Sequence, residues 1–279
     1  MSLALAEKWD NVGLLLEAPG VRNNSHRILL TIDLTTAVAE EALKSQTALI
    51  VSYHPTIFKP LSSITLSNPL QASILRCAAA NISIYSPHTA LDSVSGGIND
   101  WLGNGISRAH DSSSGDVGEI TFLLGELEGG IGGQGRLVTL PEPVSMKEVE
   151  RRIKEHLGLE HIQVGYRPGE SKGAPSIHTI AICAGSGGGM LLGTPADVYF
   201  TGEMSHHEVL AAVATGHNVV LCGHTNTERG YLPILAEKLT SELQTEAEDV
   251  ANSDTALAST LRSLEVHVSK EDKHPLQIV

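Results

Sequence analysis

The 279-residue sequence predicts an α/β protein built from two α/β domains, each with a parallel or mixed sheet. Three features carry that prediction. Short aliphatic runs alternate with amphipathic stretches, the rhythm of parallel strands joined by crossover helices. The rhythm breaks at a glycine-rich stretch in the middle of the chain and then resumes. In both halves a hydrophobic strand ends on a histidine. The boundary is placed near Glu126, giving an N-terminal domain over 1–126 and a C-terminal domain over 127–279.

Arg27–Asp33 (RILLTID) reads as a buried strand that stops at a polar residue. Thr35–Ser45 follows with apolar residues at helical spacing and a threonine to cap its start. Ala48–Tyr53 is a second strand, ended by His54-Pro55 because proline cannot continue a ladder. Asn68–Ala80 reads as a helix, and Ile82–Tyr85 as a third strand running into Pro87-His88. Glu119–Leu127 and Gly135–Leu140 are β-like, separated by Gly129–Gly133 as a hairpin or connection. Ser145–Leu157 is an amphipathic helix in which Ser145 and Glu148 have capping-box spacing. Strands at Thr179–Ala184, Ala196–Thr201 and Asn218–Cys222 alternate with helices at Ser205–Thr215 and Glu228–Leu239. Gln244–Asp254 is polar and acidic enough to read as a surface linker, and Leu264–Val268 as a last strand.

Composition narrows the function classes. Nineteen Lys+Arg against 32 Asp+Glu leave a net charge of -13, which repels a phosphate backbone and argues against a nucleic-acid binder. A 41% hydrophobic content with 18% charged residues is globular, and no apolar run approaches the length of a membrane span. Cys77, Cys183 and Cys222 are widely spaced and form no CxxC pair, so a reducing, cytoplasmic setting is expected, with mitochondrion or nucleus as alternatives. No secretory segment opens the chain, though a targeting segment or first helix could precede it. Against 3 Phe the chain carries 13 His, so where the histidines cluster matters.

In open α/β sheets ligands bind at the carboxyl ends of strands. His54, His88 and His224 fall there. Two of them have a carboxylate four residues on, His88 with Asp92 and His224 with Glu228, and in a helical segment such residues share a face. Imidazole and carboxylate donors suit Zn, Mn or Fe. The donors exceed the needs of one tetrahedral ion, which raises a two-metal site with ions roughly 3.5–4 Å apart. A single strand-end histidine is otherwise an ordinary hydrogen-bonded residue.

Trp9-Asp10-Asn11-Val12-Gly13-Leu14 resembles the opening motif of the NIF3 family, also called DUF34 or the GTP cyclohydrolase I type 2 homologues. Ser52-Tyr53-His54-Pro55-Thr56-Ile57-Phe58 is similar to that family's first metal motif, and His88-Thr89-Ala90-Leu91-Asp92 to its second. Thr201–Glu208 and Gly223–Gly230 resemble the C-terminal motifs, and Asp272–Val279 the closing segment. The resemblance implies the short form of the family, without its large inserted domain, and a dinuclear divalent-metal site between two α/β domains. Its ligands would be His54, Asp92, His224 and Glu228. Many bacterial members carry His-His where this chain has Tyr53-His54, so Tyr53 either ligates through its phenol or points away. The resemblance also implies a toroidal homo-oligomer, expected as a hexamer.

Around these ligands His88 is read as an outer-shell orienting residue, with a purely structural histidine as the alternative. Glu203 is the candidate for proton transfer, or else a helix-start acid favoured by the macrodipole. Of His206 and His207 at most one faces the site, and Asp10 and Asn11 fix a turn or else line the cavity. Gly185–Gly189 follows a strand and could approach a phosphate, but it lacks a P-loop's GK[ST], and a turn needing positive φ explains it equally. Cys222 reads as a small buried hydrophobe. The expected activity is metal-dependent hydrolysis of a nucleotide or related small molecule through a metal-bound water, of which GTP cyclohydrolase chemistry is one form. The competing reading is a non-catalytic metal-binding scaffold that engages transcription-related protein partners.

Overall fold

A computed structural model of the chain describes residues 2–107, 117–125 and 130–279. The chain divides into two compact units. A terminal unit combines Ser2–Ala90 with Tyr231–Val279, and a central unit comprises Leu91–Gly230. The division therefore falls at two points, not one, and Glu126 lies outside the described residues. The cause is the last strand, which returns to pair with the first half of the chain instead of closing the second.

A 3-10 turn at Leu3–Leu5 precedes β1 (Gly13–Leu16) and β2 (Arg27–Thr31), followed by α1 (Thr36–Lys44) and β3 (Thr47–Ser52). It continues through α2 (Pro69–Ala79) and β4 (Ser83–Ser86). Thr35 caps α1 by accepting from Val38 N, and Asn68 caps α2 ahead of its first-turn proline. After α3 (Thr89–Ser93) come α4 (Ile98–Ser107), β5 (Glu119–Leu124) and β6 (Gln134–Ser145). The next elements are α5 (Met146–Leu157), β7 (Gln163–Gly165), β8 (Pro175–Ser186) and α6 (Gly188–Leu191). β9 (Val198–Glu203), α7 (His206–Ala214) and β10 (Asn218–Leu221) complete the central unit's regular elements. Two 3-10 turns, His224–Thr227 and Arg229–Tyr231, lead into α8 (Leu232–Asp249), α9 (Thr255–Ser263) and β11 (Glu265–Val268).

Both sheets are mixed. The terminal sheet has the order β1-β4-β3-β2-β11, parallel except for the antiparallel edge strand β1. The central sheet has the order β5-β6-β8-β9-β10-β7, with β8, β9 and β10 parallel and the others antiparallel. Ile180, Ala181 and Ile182 of β8 are all fully buried, as a strand covered on both faces requires. Leu29, Val38, Ala42, Ile50, Ile82 and Ile84 form the core of the terminal unit. Ala181, Leu191, Tyr199, Ala212 and Val219 form a core cluster of the central one.

Several expectations shift. Gln244–Asp249, read as linker, continues α8, whose exposed acidic face mimics linker composition. Glu228 lies outside α8, between the two 3-10 turns. Ser145 caps α5 by accepting from Glu148 N, but the Glu148 carboxylate binds Arg151 and Arg152 and not the cap backbone. The reciprocal capping box is made instead by Ser205 and Glu208 at the start of α7. The end of the glycine-rich stretch is packed, whereas Gly130 and Ile131 face open space. Gly132 bridges to Val94, and a Cβ on Gly133 would lie 2.7 Å from the Phe122 ring.

Candidate functional site

In the terminal unit three parallel strands end side by side, and each delivers a chemically active residue. β2 runs into Asp33, β3 into Tyr53 and His54, and β4 into Pro87 and His88. His54 Nδ1 lies 2.9 Å from Asp33 Oδ1. A carboxylate only accepts, so the proton sits on Nδ1 and the lone pair on Nε2. This is the carboxylate–imidazole arrangement that fixes ring and tautomer in metal-ligating histidines. The backbone agrees, because His54 N donates to Ile32 O at 3.0 Å.

His88 is held the same way. Its Nδ1 lies 2.7 Å from Asp10 Oδ1, while Asp10 Oδ2 accepts from Thr89 N and Oγ1. Burial alone would raise the Asp10 carboxyl; the bonds from Thr89 and His88 outweigh it and hold the pKa below its ordinary value. His88 has φ +33, a left-handed backbone rare for a residue with a Cβ and a mark of a constrained position. Its ring packs against Tyr53, His54, Trp9 and Phe58 with centroids 5.5–6.1 Å away. The Tyr53 ring is buried, with its centroid 4.9 Å from that of His54. Asn11 donates from Nδ2 to Ile57 O and from its backbone to Asp10, so the Asp10-Asn11 turn does tie the loops together.

The central unit repeats the plan. β8, β9 and β10 end at the Gly185 turn, at Glu203 and just before His224. His224 Nδ1 lies 2.9 Å from Glu203 Oε1, and its Nε2 lies 3.3 Å from Glu228 Oε1. Glu203, expected as a proton-transfer group, thus has the His224 imidazole as an immediate partner. Glu228 is 1% exposed although no regular helix carries it. His224 and Glu228 each offer a ligand atom of the kind that holds a divalent ion.

The floor beneath this pair is glycine for a steric reason. Gly185 has φ +65, and a Cβ there would lie 2.8 Å from Glu228 Oε1 and 2.9 Å from His224 Nε2. Thr227 Oγ1 accepts from Gly185 N, and Thr201 Oγ1 donates to Gly185 O. A Cβ on Gly187 would collide with Thr201, and one on Gly188 with Glu208. Packing therefore accounts for Gly185 and Gly187 without a phosphate, while Gly188 meets only the movable end of Glu208 and Gly189 faces open space.

Asp92 sits half-buried on α3, and its backbone carbonyl accepts from Asn99 Nδ2 at 3.1 Å. The other end of the same buried amide, Asn99 Oδ1, accepts from Ala184 N at 2.9 Å. Asn99 thereby ties the Asp92 turn to the strand end that precedes Gly185. Arg136, 1% exposed, binds both oxygens of Asp100 and the carbonyls of Gly133, Gly135 and Val94. His206 and His207 are both exposed on the first turn of α7. Burial pushes the Cys222 thiol up to about 12, as suits an apolar residue and not a nucleophile.

Sequence reasoning missed Asp33, Asn99 and the use of Asp10 as an imidazole partner. Asp33 carried one usable signal, a lone carboxylate at the carboxyl end of a buried strand. The other two are paired with residues distant in sequence and carry no local signal.

Fold and donor chemistry together define a mixed α/β protein with a His/Glu group suited to a divalent metal. A family profile described as Duf34/NIF3 (NGG1p interacting factor 3) matches residues 1–256. The fission-yeast (Schizosaccharomyces pombe) protein NIF3 homolog is 46% identical over 248 residues, 88% of this chain and 87% of that protein. NGG1-interacting factor 3 of Saccharomyces cerevisiae is 36% identical, over 88% of this chain and 86% of its own length. A Bacillus cereus protein related to NIF3 has the same fold, with a TM-score of 0.76 at 18% identity over 99% of this chain and 95% of its own. The chain belongs to the Duf34/NIF3 family. Among the described residues, no helix is long and apolar enough to cross a membrane.

Proposed function

We propose that the protein binds divalent metal ions, two per chain, through His54, Asp92, His224 and Glu228, and hydrolyses a nucleotide or related small molecule. The observation that supports this most is a shared device. Two strand-end imidazoles, His54 and His224, each have Nδ1 on a carboxylate, Asp33 or Glu203, which orients the ring; His224 Nε2 in turn lies 3.3 Å from Glu228 Oε1. The donor set of imidazole and carboxylate fits Zn, Mn or Fe. When bound, such ions supply positive charge and Lewis acidity for hydrolysis. The chain's own contributions are positional. Asp33 and Glu203 orient the imidazoles, Gly185 leaves room at the His224–Glu228 pair, and Asn99 holds the Asp92 backbone. Tyr53, whose ring lies beside those of His54 and His88, is assigned to packing these imidazoles and left out of the ligand set.

Elemental analysis of natively purified protein tests the reading directly. Two ions per chain support it, one ion removes the paired-metal form, and none removes metal binding. A second reading has its own support, the name of the budding-yeast relative as an NGG1-interacting factor. Under it the ions organise a surface for a transcription-related partner and nothing is turned over. His224→Ala separates the two. Loss of hydrolysis across a nucleotide and phosphoester panel with partner binding intact favours the enzyme. Loss of partner binding in a protein that hydrolyses nothing favours the scaffold.

A further inference from the structure

We propose that Asp272, seven residues before the C-terminal Val279, is a positioning residue for His54. The proposal extends the metal-binding reading and rests on hydrogen bonds among the chain's own residues.

The coupling runs through one peptide. β11 adds in parallel to β2, and the last bond of that ladder is Ser269 N to Leu30 O at 2.8 Å. Two residues further along, the N–H of Ile32 is buried in a residue with 0% exposure. Asp272 Oδ2 accepts this N–H at 3.1 Å, across 240 residues of sequence. The carbonyl of the same Ile32 accepts the N–H of His54 at 3.0 Å. The following residue, Asp33, holds His54 Nδ1 at 2.9 Å. A single buried carboxylate thus fixes the residue from which both the backbone and the ring of His54 are set.

Asp272 is itself held in place. It is 8% exposed, and Glu41 of α1 accepts from Ser269 Oγ at 2.5 Å, from Lys270 N at 3.2 Å and from Glu271 N at 3.4 Å. A buried backbone N–H needs an acceptor, and an ionised one makes the stronger bond. Two classes of contact can therefore be separated by mutation: the turn held by Glu41, which serves the sheet edge, and the Ile32 contact, which serves His54.

The experiment compares Asp272→Ala, Asp272→Asn, Asp272→Glu and Glu41→Gln by two measurements. One is the low-field Nδ1–H proton resonance of His54 in metal-free protein, and the other is Co2+ affinity by chelator competition. Asp272→Ala is expected to shift or abolish the His54 resonance and to weaken Co2+ binding about tenfold, the lower end for loss of an outer-shell partner. Asp272→Asn, which keeps an acceptor, restores both. Glu41→Gln, which loosens the turn that carries Asp272 without removing the acceptor for Ile32 N, lowers the melting temperature and moves both less than Asp272→Ala does. Should the alanine variant not fold, Asp272→Glu displaces the acceptor by one methylene and is expected to shift the resonance. The proposal is overturned if the resonance and Co2+ affinity persist in Asp272→Ala, or in Asp272→Glu where that variant takes its place. It is equally overturned if Glu41→Gln changes both as much. If wild-type protein binds no Co2+, metal binding at this site is refuted, and the His54 resonance alone decides the role of Asp272.

Discussion

Replacing Gly185 with alanine perturbs the His224–Glu228 pair without removing a single donor. The new Cβ would lie 2.8 Å from Glu228 Oε1 and 2.9 Å from His224 Nε2, inside ordinary contact distance for both. The residue also sits at φ +65, where an L side chain costs roughly 1–2 kcal/mol. Relieving the overlap adds about 1–3 kcal/mol, the usual range for overpacking a filled site. The sum, about 2–5 kcal/mol, corresponds to roughly 2–4 °C of melting temperature per kcal/mol in a domain of 150–250 residues. Because the overlap falls on the donors themselves, metal affinity drops at least tenfold as well, on the order of losing a partner to a ligand. Gly189→Ala is the control, since its Cβ meets nothing within 4 Å and its φ is not positive. Thermal melts and chelator competition with Co2+ measure both effects. A Gly185→Ala protein that melts with wild type and binds Co2+ equally well would refute the steric account of the Gly185 floor.

Two further outcomes are expected. Asp92→Asn keeps the side-chain shape and removes an anionic donor, so metal content per chain falls; unchanged stoichiometry in elemental analysis shows that Asp92 is not a ligand. Glu148 has its pKa lowered from 4.5 to about 2, mainly by its hydrogen bond from Arg151 with Arg152 assisting. The folded carboxyl therefore binds its proton only at lower pH than the unfolded one, and the contribution is full above 4.5 and fades as pH falls toward 2. With a quarter or more of this side chain in solvent, screening leaves about 1 kcal/mol. Glu148→Gln should then melt a few degrees below wild type at pH 7, with the gap closing in acid; a gap independent of pH argues against the ion pairs.

The parts of this molecule that the sequence made legible are those with a local cause. Aliphatic runs such as Arg27–Thr31 and Thr179–Ala184 are strands because only burial on both faces explains them. The histidines at positions 54, 88 and 224 stand out because a costly residue recurs where a strand stops. What stayed hidden depends on neighbours in space. Asp33 acquires its role because β2 lies beside β3, an order that no single strand encodes. Asp10 reaches His88 across 78 residues. The single boundary near Glu126 assumed that each domain is continuous, and no local signal in Leu264–Val268 says that it belongs beside Arg27–Thr31. Acidic residues on α8 looked like a linker because a solvated helix face and a loop share composition. His224 and Glu228 were paired for helical spacing, yet they meet across a 3-10 turn.

The strand order of the terminal sheet also sets a schedule for biosynthesis. Leu91–Gly230 is contiguous, so the ribosome releases everything that unit contains before the chain is finished. The sheet begun by β1–β4 waits for β11, and at roughly 5–20 residues per second β2 spends ten seconds or more as an open edge. Such an edge is a template for unwanted pairing. Chaperone occupancy during translation should accordingly peak on β1–β4 and fall when β11 emerges.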